Sequence, residues 1–280
     1  MRISVLLGLG SGLLALASTS PLAAQTADGA DEFDGVYVGA GVGYTMKGNS
    51  DETFVFDTNR DGTFDDTVRT GAGGDAFSPG YCSGVAMGPS REAGCDKERE
   101  GIEYHARVGF DQQFGSLVLG AVAEIGRSEL SDSVTAYSTT PANYVFTREI
   151  DWTAALRARA GLAADRTLFY ATGGVARARV DRSFTTSNAA NSFTLMEDDR
   201  GVWGWQAGGG LEQKIGEAFS IQLEYLYNRF DDGDNSVAVG AGTAAATNPF
   251  LLVDPTGTDI ARSSDRLDYH SVRAVAAFRF

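Results

Sequence analysis

A chain of 280 residues with 23 Lys and Arg against 37 Asp and Glu carries a formal charge of -14, and so acidic a surface repels polyphosphate and argues against nucleic-acid binding. The hydrophobic content is 43%, yet after the N-terminus no run of about 20 apolar residues occurs, which excludes a helical membrane protein. With 35 glycines and only 6 prolines, the composition points to many short strands rather than to a Pro-rich disordered chain.

Residues 1–24 read as an export signal. Arg2 supplies a positive charge, an apolar run from Ile3 to Ala17 follows, and Leu22-Ala23-Ala24 offers small residues for cleavage, Leu22 being larger than the ideal. The alternative, an N-terminal membrane anchor, suits a longer run. A short segment, 25–32, leads into a single domain over 33–280. The two cysteines, Cys82 and Cys95, have twelve residues and no His between them. In an oxidising compartment such a pair predicts a disulfide; a two-thiol metal site is the alternative.

The domain reads as eight strands of period-2 alternation. Val36, Val38, Ala40, Val42 and Tyr44 share one parity against small or polar residues. Ile102, Tyr104, Ala106, Val108 and Phe110 alternate with Glu103, His105, Arg107, Gly109 and Asp111. Leu117, Leu119, Ala121, Ala123 and Ile125 oppose Glu124, and the series Ile150, Trp152, Ala154, Leu156, Ala158, Ala160, Leu162 opposes Asp151, Thr153, Arg157 and Arg159. Leu168 to Val180 forms a fifth strand of less definite parity, with Arg177 and Arg179 placed inward because outward arginines would meet lipid. Trp203, Trp205, Ala207, Gly209 and Leu211 alternate with Gln206 and Glu212; Phe219, Ile221, Leu223, Tyr225 and Tyr227 with Gln222 and Glu224; and His270, Val272, Ala274, Ala276, Phe278 and Phe280 with Ser271, Arg273, Ala277 and Arg279.

Connections after the even strands are short (112–116, 164–167, 215–218), and those after the odd strands are long (about 47–100, 127–149, 181–200 and 230–266). One parity is continuously apolar while the other carries ions. A soluble barrel needs the reverse, so the solvent facing the apolar parity is lipid, and closure follows because an open edge in hydrocarbon leaves backbone groups unsatisfied. The fold class predicted is all-β: an eight-stranded antiparallel up-and-down transmembrane β-barrel with long extracellular loops and short periplasmic turns. Up-and-down threading places Tyr44, Tyr104, Trp152, Trp203, Trp205, Tyr225 and Tyr227 near the outer rim and Phe110, Phe114, Phe219, Phe278 and Phe280 near the periplasmic rim, as two aromatic belts.

The segments Gly35-Val-Tyr-Val-Gly-Ala-Gly-Val-Gly-Tyr44, Leu168-Phe-Tyr-Ala-Thr-Gly-Gly-Val-Ala176, Gly204-Trp-Gln-Ala-Gly-Gly-Gly-Leu-Glu212, Leu223-Glu-Tyr-Leu-Tyr227 and the last strand ending at Phe280 resemble, in this order, the OmpA-like and opacity-protein-like small outer-membrane β-barrels, the porin family. The resemblance covers 33–280 and departs from the family in an unusually long first outer loop. It implies residence in a Gram-negative outer membrane after cleavage of the signal peptide. It also implies that Phe278 and Phe280, with Val272, Ala274 and Ala276, form the C-terminal signal read by the barrel-assembly machinery. The partners expected are outer-membrane lipid and lipopolysaccharide and that machinery, with no nucleic acid and a monomer favoured.

Three constellations stand out. Glu103, His105, Arg107, Asp111, Glu124, Asp151, Arg157, Arg159, Glu212, Glu224 and Arg273 are assigned to the lumen; eight strands leave an interior that side chains fill, so the set reads as an ion-pair network or, alternatively, as the lining of a narrow water-filled pore. In the first loop, Asp57, Asn59, Asp61, Thr63, Asp65 and Asp66 resemble the start of a calcium loop, but Val68 stands where a bidentate Glu is needed, and a solvated acidic turn is the other reading; no further cofactor is indicated. In the fourth long loop the Ala/Gly tract 240–247 reads as flexible, and Phe250-Leu251-Leu252-Val253 as packed on other loops or as a contact surface. The adjacent His270 and Ser271 face opposite sides of a strand and do not make a nucleophile–base pair, so no enzyme is predicted. The expected function is a non-enzymatic outer-membrane barrel serving envelope integrity and surface contact, with a narrow porin or a loop-based adhesin as alternatives.

Overall fold

The computed structural model describes residues 32–48, 52–96, 100–196, 201–233 and 235–280; the predicted signal peptide and residues 25–31 lie outside the described residues. In chain order the strands are β1 Gly35–Lys47, β2 Phe54–Asp57, β3 Gly80–Ser83, β4 Gly101–Phe114, β5 Leu117–Ser128, β6 Ser131–Ser138, β7 Ala142–Ala164, β8 Thr167–Thr186, β9 Ser192–Met196, β10 Gly201–Lys214, β11 Phe219–Asp231, β12 Ser236–Gly240, β13 Thr258–Arg262 and β14 Arg266–Arg279. No helix among the described residues is long and apolar enough to cross a membrane, which says nothing about crossing by strands.

Eight strands pair in the order β1-β4-β5-β7-β8-β10-β11-β14, and β14 returns to pair with β1, all antiparallel. The ring has no open edge, and it contains all eight strands predicted from alternation. Its even connections are tight. Gly115, at φ +62°, turns β4 into β5 in the left-handed region that glycine enters without strain, and Asp165 at φ +50° does the same between β7 and β8.

The outside of the ring is apolar: Val42, Ile125, Leu162 and Trp203 are each about 60% exposed, while Arg157, Glu212 and Arg273 inside are almost wholly covered. The predicted belt residues Phe110, Phe114, Phe219, Phe278 and Phe280 at one rim, and Tyr44, Tyr104, Trp203, Trp205 and Tyr225 at the other, are likewise exposed.

Two orientation assignments are corrected. Asp151, expected in the lumen, is the extra residue of a β-bulge: Ile150 pairs with Val180 and Trp152 with Arg179. A bulge switches parity, so Ile150 turns inward and is buried, whereas Asp151 stays half-exposed beside the exposed Arg127 and Arg179. Arg177 and Arg179, expected inward, point outward, because Leu168, Tyr170, Ala176, Ala178 and Val180 on the same unbulged strand occupy the interior.

Beyond the membrane band the long connections are folded rather than loose. The hairpin β6–β7 and the end of β8 continue above the barrel, with β3 on β6. A second sheet, in the order β2-β13-β12-β9, gathers segments from three connections. The two enclose an aromatic core of Phe54, Phe56, Phe77, Tyr144, Phe146 and Phe250 with Val134, Val237, Val239 and Ile260. Alternation of Phe54 with Phe56, Tyr144 with Phe146 and Val237 with Val239 is the local cause, since each pair presents one face to the opposite sheet. The predicted flexible tract is fastened by turns, with Thr243 N–H donating to Ala190 and Asn248 N–H to Ala245. The Phe250–Val253 patch divides: Phe250 and Leu251 enter the core, while Leu252 and Val253 face outward.

Cys82 and Cys95 form a disulfide across a Cα separation of 6.3 Å. It lies against the buried Tyr137, whose hydroxyl donates to the Gly94 carbonyl at 2.8 Å. Closing a loop of this length stabilises by about 3 kcal/mol in the chain-entropy account. Cys95→Ser is therefore expected to expose 84–94 to limited proteolysis while heat-modifiable migration of the barrel in unboiled gels persists; loss of both would place the bond's role in the barrel itself.

Candidate functional site

The lumen is assembled from the inward parity of all eight ring strands. On β1 that parity is Tyr37, Gly39, Gly41, Gly43 and Thr45. The glycines give room rather than flexibility: a Cβ on Gly41 would stand 2.7 Å from the His105 ring, and one on Gly43 would stand 2.6 Å from the Glu103 carboxylate. Long ionised side chains from facing strands therefore cross the axis.

At the periplasmic end Phe33, Val118, Leu168 and Tyr170 form an apolar floor. Above it Arg159 donates to Asp111 at 2.9 Å and to Glu212 at 2.5 Å, and its guanidinium lies 4.0 Å from the Tyr170 ring centre. Arg279 donates to Asp111 at 2.9 Å and to the Phe33 carbonyl at 2.6 Å, and Ser220 and Gln222 donate to Glu212.

The middle of the lumen holds a second group. Glu224 receives Arg107 at 2.9 Å, Arg157 at 3.2 Å and the Tyr170 hydroxyl at 3.1 Å. Glu124 receives Arg107 at 2.8 Å, Arg157 at 3.0 Å and Arg273 at 2.6 Å. Arg273 also pairs with Glu103, and His105 Nε2 lies 3.0 Å from Arg107. Among the described lumen residues, five carboxylates (Glu103, Asp111, Glu124, Glu212, Glu224) meet five guanidinium groups (Arg107, Arg157, Arg159, Arg273, Arg279), all buried. The charges balance within hydrogen-bonding distance, the condition under which buried ions are tolerated. Above this network a layer of Leu130, Ile150, Val180, Val202, Phe230, Leu267 and Tyr269 closes the bore with apolar side chains.

The structure thus brings ten of the eleven predicted lumen residues together and leaves Asp151 outside. Alternation also carries Arg279 inward, but its pairing with Asp111 was not visible from pattern, nor were the parts played by Tyr37, Tyr170 and Gln222.

A further buried ionic cluster joins the barrel mouth to the extracellular sheets, and sequence reasoning missed it entirely. Arg148 donates to Asp132 at 2.5 Å, Glu52 at 3.1 Å and Asp232 at 3.2 Å. Arg262 pairs with Asp132 at 2.8 Å and with Glu52; Lys47 pairs with Asp132, and Arg182 with Asp232 at 2.8 Å. Burial pushes the Asp132 carboxyl up, but Arg148, Arg262 and Lys47 outweigh it and hold this group well below the usual aspartate range. The available signal was continued alternation through Ala142, Tyr144, Phe146 and Arg148.

The candidate calcium loop is organised differently from the expectation. Asp57 accepts from the Asp61 and Gly62 amides, Asp61 from Thr63, Asn59 from Asp61, and Asp66 from both the amide and hydroxyl of Thr58. These oxygens are turned onto the loop's own donors, as in Asx-type turns, and Asp65 does not join them. Among the described residues no group of three or more His, Cys, Asp or Glu is arranged to hold a metal. His270 stacks on Tyr225 on the outer face, 2.6 Å from its hydroxyl, whereas Ser271 is buried and donates to Glu103.

One family model agrees with this geometry. Residues 11–243 match the family model described as outer membrane protein beta-barrel domain. The 31 kDa outer-membrane immunogenic proteins of Brucella melitensis and Brucella suis are each 29% identical over 123 residues, 43% of this chain and 50% of theirs, so the chain spans about half the length of the curated relatives it matches. Among solved structures, the outer membrane protein OprG of Pseudomonas aeruginosa aligns with a TM-score of 0.46 at 11% identity, covering 88% of this chain and 97% of that one. The outer membrane protease OmpT of Escherichia coli aligns at 0.43 and 10%, covering 89% and 97%.

Proposed function

Because this chain belongs to the outer membrane protein beta-barrel domain family and resides in the Gram-negative outer membrane, we propose that it is a non-enzymatic, non-conducting barrel that contributes to envelope integrity and holds a folded extracellular cap at the cell surface. The observation that carries this reading is the filled lumen: charge-balanced ion pairs stacked between an apolar floor at Phe33 and an apolar layer at Phe230 and Leu267. A conducting pore needs mobile water along its axis, and here the guanidinium groups span from strand to strand in place of it. The cap supports a role in surface contact, since its outer side carries the exposed Val85, Met87, Leu252 and Val253 on a rigid aromatic core. The C-terminal Phe278 and Phe280, both exposed at the rim, are proposed as the residues that the assembly machinery reads, and the barrel as a monomer.

Planar-bilayer recording tests the closed lumen. The purified protein is expected to give no stable single-channel steps. Steps that recur at constant amplitude and vanish in Arg157→Ala or Arg159→Ala would replace this reading with that of a narrow porin.

A further inference from the structure

The long connections carry the whole formal charge of the chain. Residues 48–100, 129–149, 182–200 and 230–265 hold 23 of the 37 acids and 9 of the 23 bases, a net of -14, and the remaining residues are balanced. A cap of this sign concentrates cations at its surface and repels anions. Within it a cavity of about 390 Å³ opens where the second sheet meets the turns that join it to β11 and β14, a size that suits a small molecule. One side of the cavity is apolar. Val55, Ala261 and Ser236 are neighbours in one row across β2, β13 and β12, and Phe64 joins Val55 and Ala261 in the lining.

The polar side presents acceptors. Asn235 lines the cavity and is buried; its Nδ2 donates to the Asp232 carbonyl, but its Oδ1 has no partner. A buried amide oxygen left unpaired is costly, and a donor brought by a ligand relieves that cost. The Asp265 carboxylate is exposed and stands 3.8 Å from Arg266, too far for a hydrogen bond. The Ser263 hydroxyl oxygen accepts from the Thr53 amide. Arg262, the one base among the described residues of the lining, gives its donors to Glu52, Asp132 and the Phe146 carbonyl. The Asp232 carboxylate is matched by Arg148 and Arg182. An occupant that fits therefore supplies donors, carries positive charge and has an apolar stem. A carboxylate or phosphate would meet acceptors and repulsion, and a neutral alcohol would gain nothing from the charge of the cap. A primary ammonium has three donors and no acceptor.

We propose that this cavity binds aliphatic di- and polyamines, with an ammonium group held by Asn235 Oδ1 and the Asp265 carboxylate and the methylene chain lying against Val55, Phe64 and Ala261. The site belongs to the cap and is independent of whether the lumen conducts.

The test uses the full protein in detergent micelles, titrated calorimetrically with 1,4-diaminobutane, and saturable binding is expected. A hydrogen bond to a charged group is worth about ten-fold in affinity or more. Asp265→Asn and Asn235→Ala are each expected to weaken binding about ten-fold. Glu92→Gln, which removes an exposed acid outside the cavity, binds as the wild type. Heat-modifiable migration establishes that the barrel of each variant is folded, and resistance of 236–262 to proteinase K that its cap is. Asp265→Asn, altering an exposed side chain, decides the matter if Asn235→Ala loosens the turn it makes with Asp232. Absence of saturable binding in the wild type overturns the proposal, as does wild-type affinity in folded Asp265→Asn. Equal affinity for the analogue whose two nitrogens are fully methylated overturns it as well. That analogue keeps the charge and the chain but has no N–H donor, so equal binding would reduce the site to the general attraction of the cap for cations.

Discussion

Glu224→Ala is expected to lower the unfolding free energy of the barrel by about 3–5 kcal/mol, the cost of leaving buried charge without its partner. Glu224 sits where three guanidinium groups converge: Arg107 at 2.9 Å, Arg157 at 3.2 Å and Arg273 at 3.9 Å. Glu124 also contacts all three and Glu103 contacts Arg273, so in the variant two carboxylates face three cations in an interior closed above and below by apolar layers. Urea titration in lipid vesicles, followed by the fluorescence of Trp152, Trp203 and Trp205, measures the change. The double variant Glu224→Leu, Arg157→Leu removes a pair rather than a partner and is expected to recover much of the loss, so that in a double-mutant cycle its loss is smaller than the sum of the two single losses. A loss below about 1 kcal/mol for Glu224→Ala would mean that water reaches these guanidinium groups, and the closed lumen would fall with it.

The second large effect concerns the junction between barrel and cap. Arg148→Met is expected to detach the cap from the barrel mouth at a cost of about 3–5 kcal/mol, because Asp132, Glu52 and Asp232 then lose the cation they share. The barrel persists, as its own ion pairs are separate; proteinase K should cut within 54–96 and 236–262 while heat-modifiable migration is retained. Acid gives a related test. The Asp132 carboxyl is pushed up by burial but held down more strongly by Arg148, Arg262 and Lys47, so its folded-state value lies below the ordinary aspartate value of about 3.9. A depressed carboxylate contributes stability that is fully present above the unfolded value and is lost as pH falls toward the folded one. Hydrogen-exchange protection of 131–150, corrected for intrinsic rates, should therefore hold to about pH 4 and fall only in stronger acid. In Arg148→Met, where Asp132 is held down less, the fall should be smaller and complete at higher pH. Equal pH profiles for the two proteins would show that Asp132 is not held by Arg148.

The barrel was legible because a strand in lipid reports its environment residue by residue. Val36 to Tyr44, Ile102 to Phe110 and Phe219 to Tyr227 alternate without interruption, and each of these series faces outward as read. Reading failed where one backbone event changed the phase. The bulge at Asp151 reverses the parity of β7 between Ile150 and Trp152, and a single extra residue leaves no compositional mark. It failed on β8 for a different reason: the rule that arginine avoids lipid was applied at Arg177 and Arg179, although the opposite parity, Leu168, Tyr170, Ala176, Ala178 and Val180, is the one that fills the interior. The candidate calcium loop had the right oxygens in the right order, yet whether they converge on an ion or on their own backbone depends on dihedral angles that spacing does not specify.

The amino-acid order by itself determined the strand number, the short and long connections, the inverted placement of apolar and ionised residues and hence the membrane as solvent, since all of these follow from period-2 neighbours and local turn chemistry. Only the tertiary structure decided which charges meet and that three separate connections build one capped sheet. Those outcomes join residues far apart in the chain, Arg273 with Glu103 across 170 positions and Arg148 with Glu52 across 96. Pairing at such separations is set by strand register around a closed ring, which no local pattern encodes.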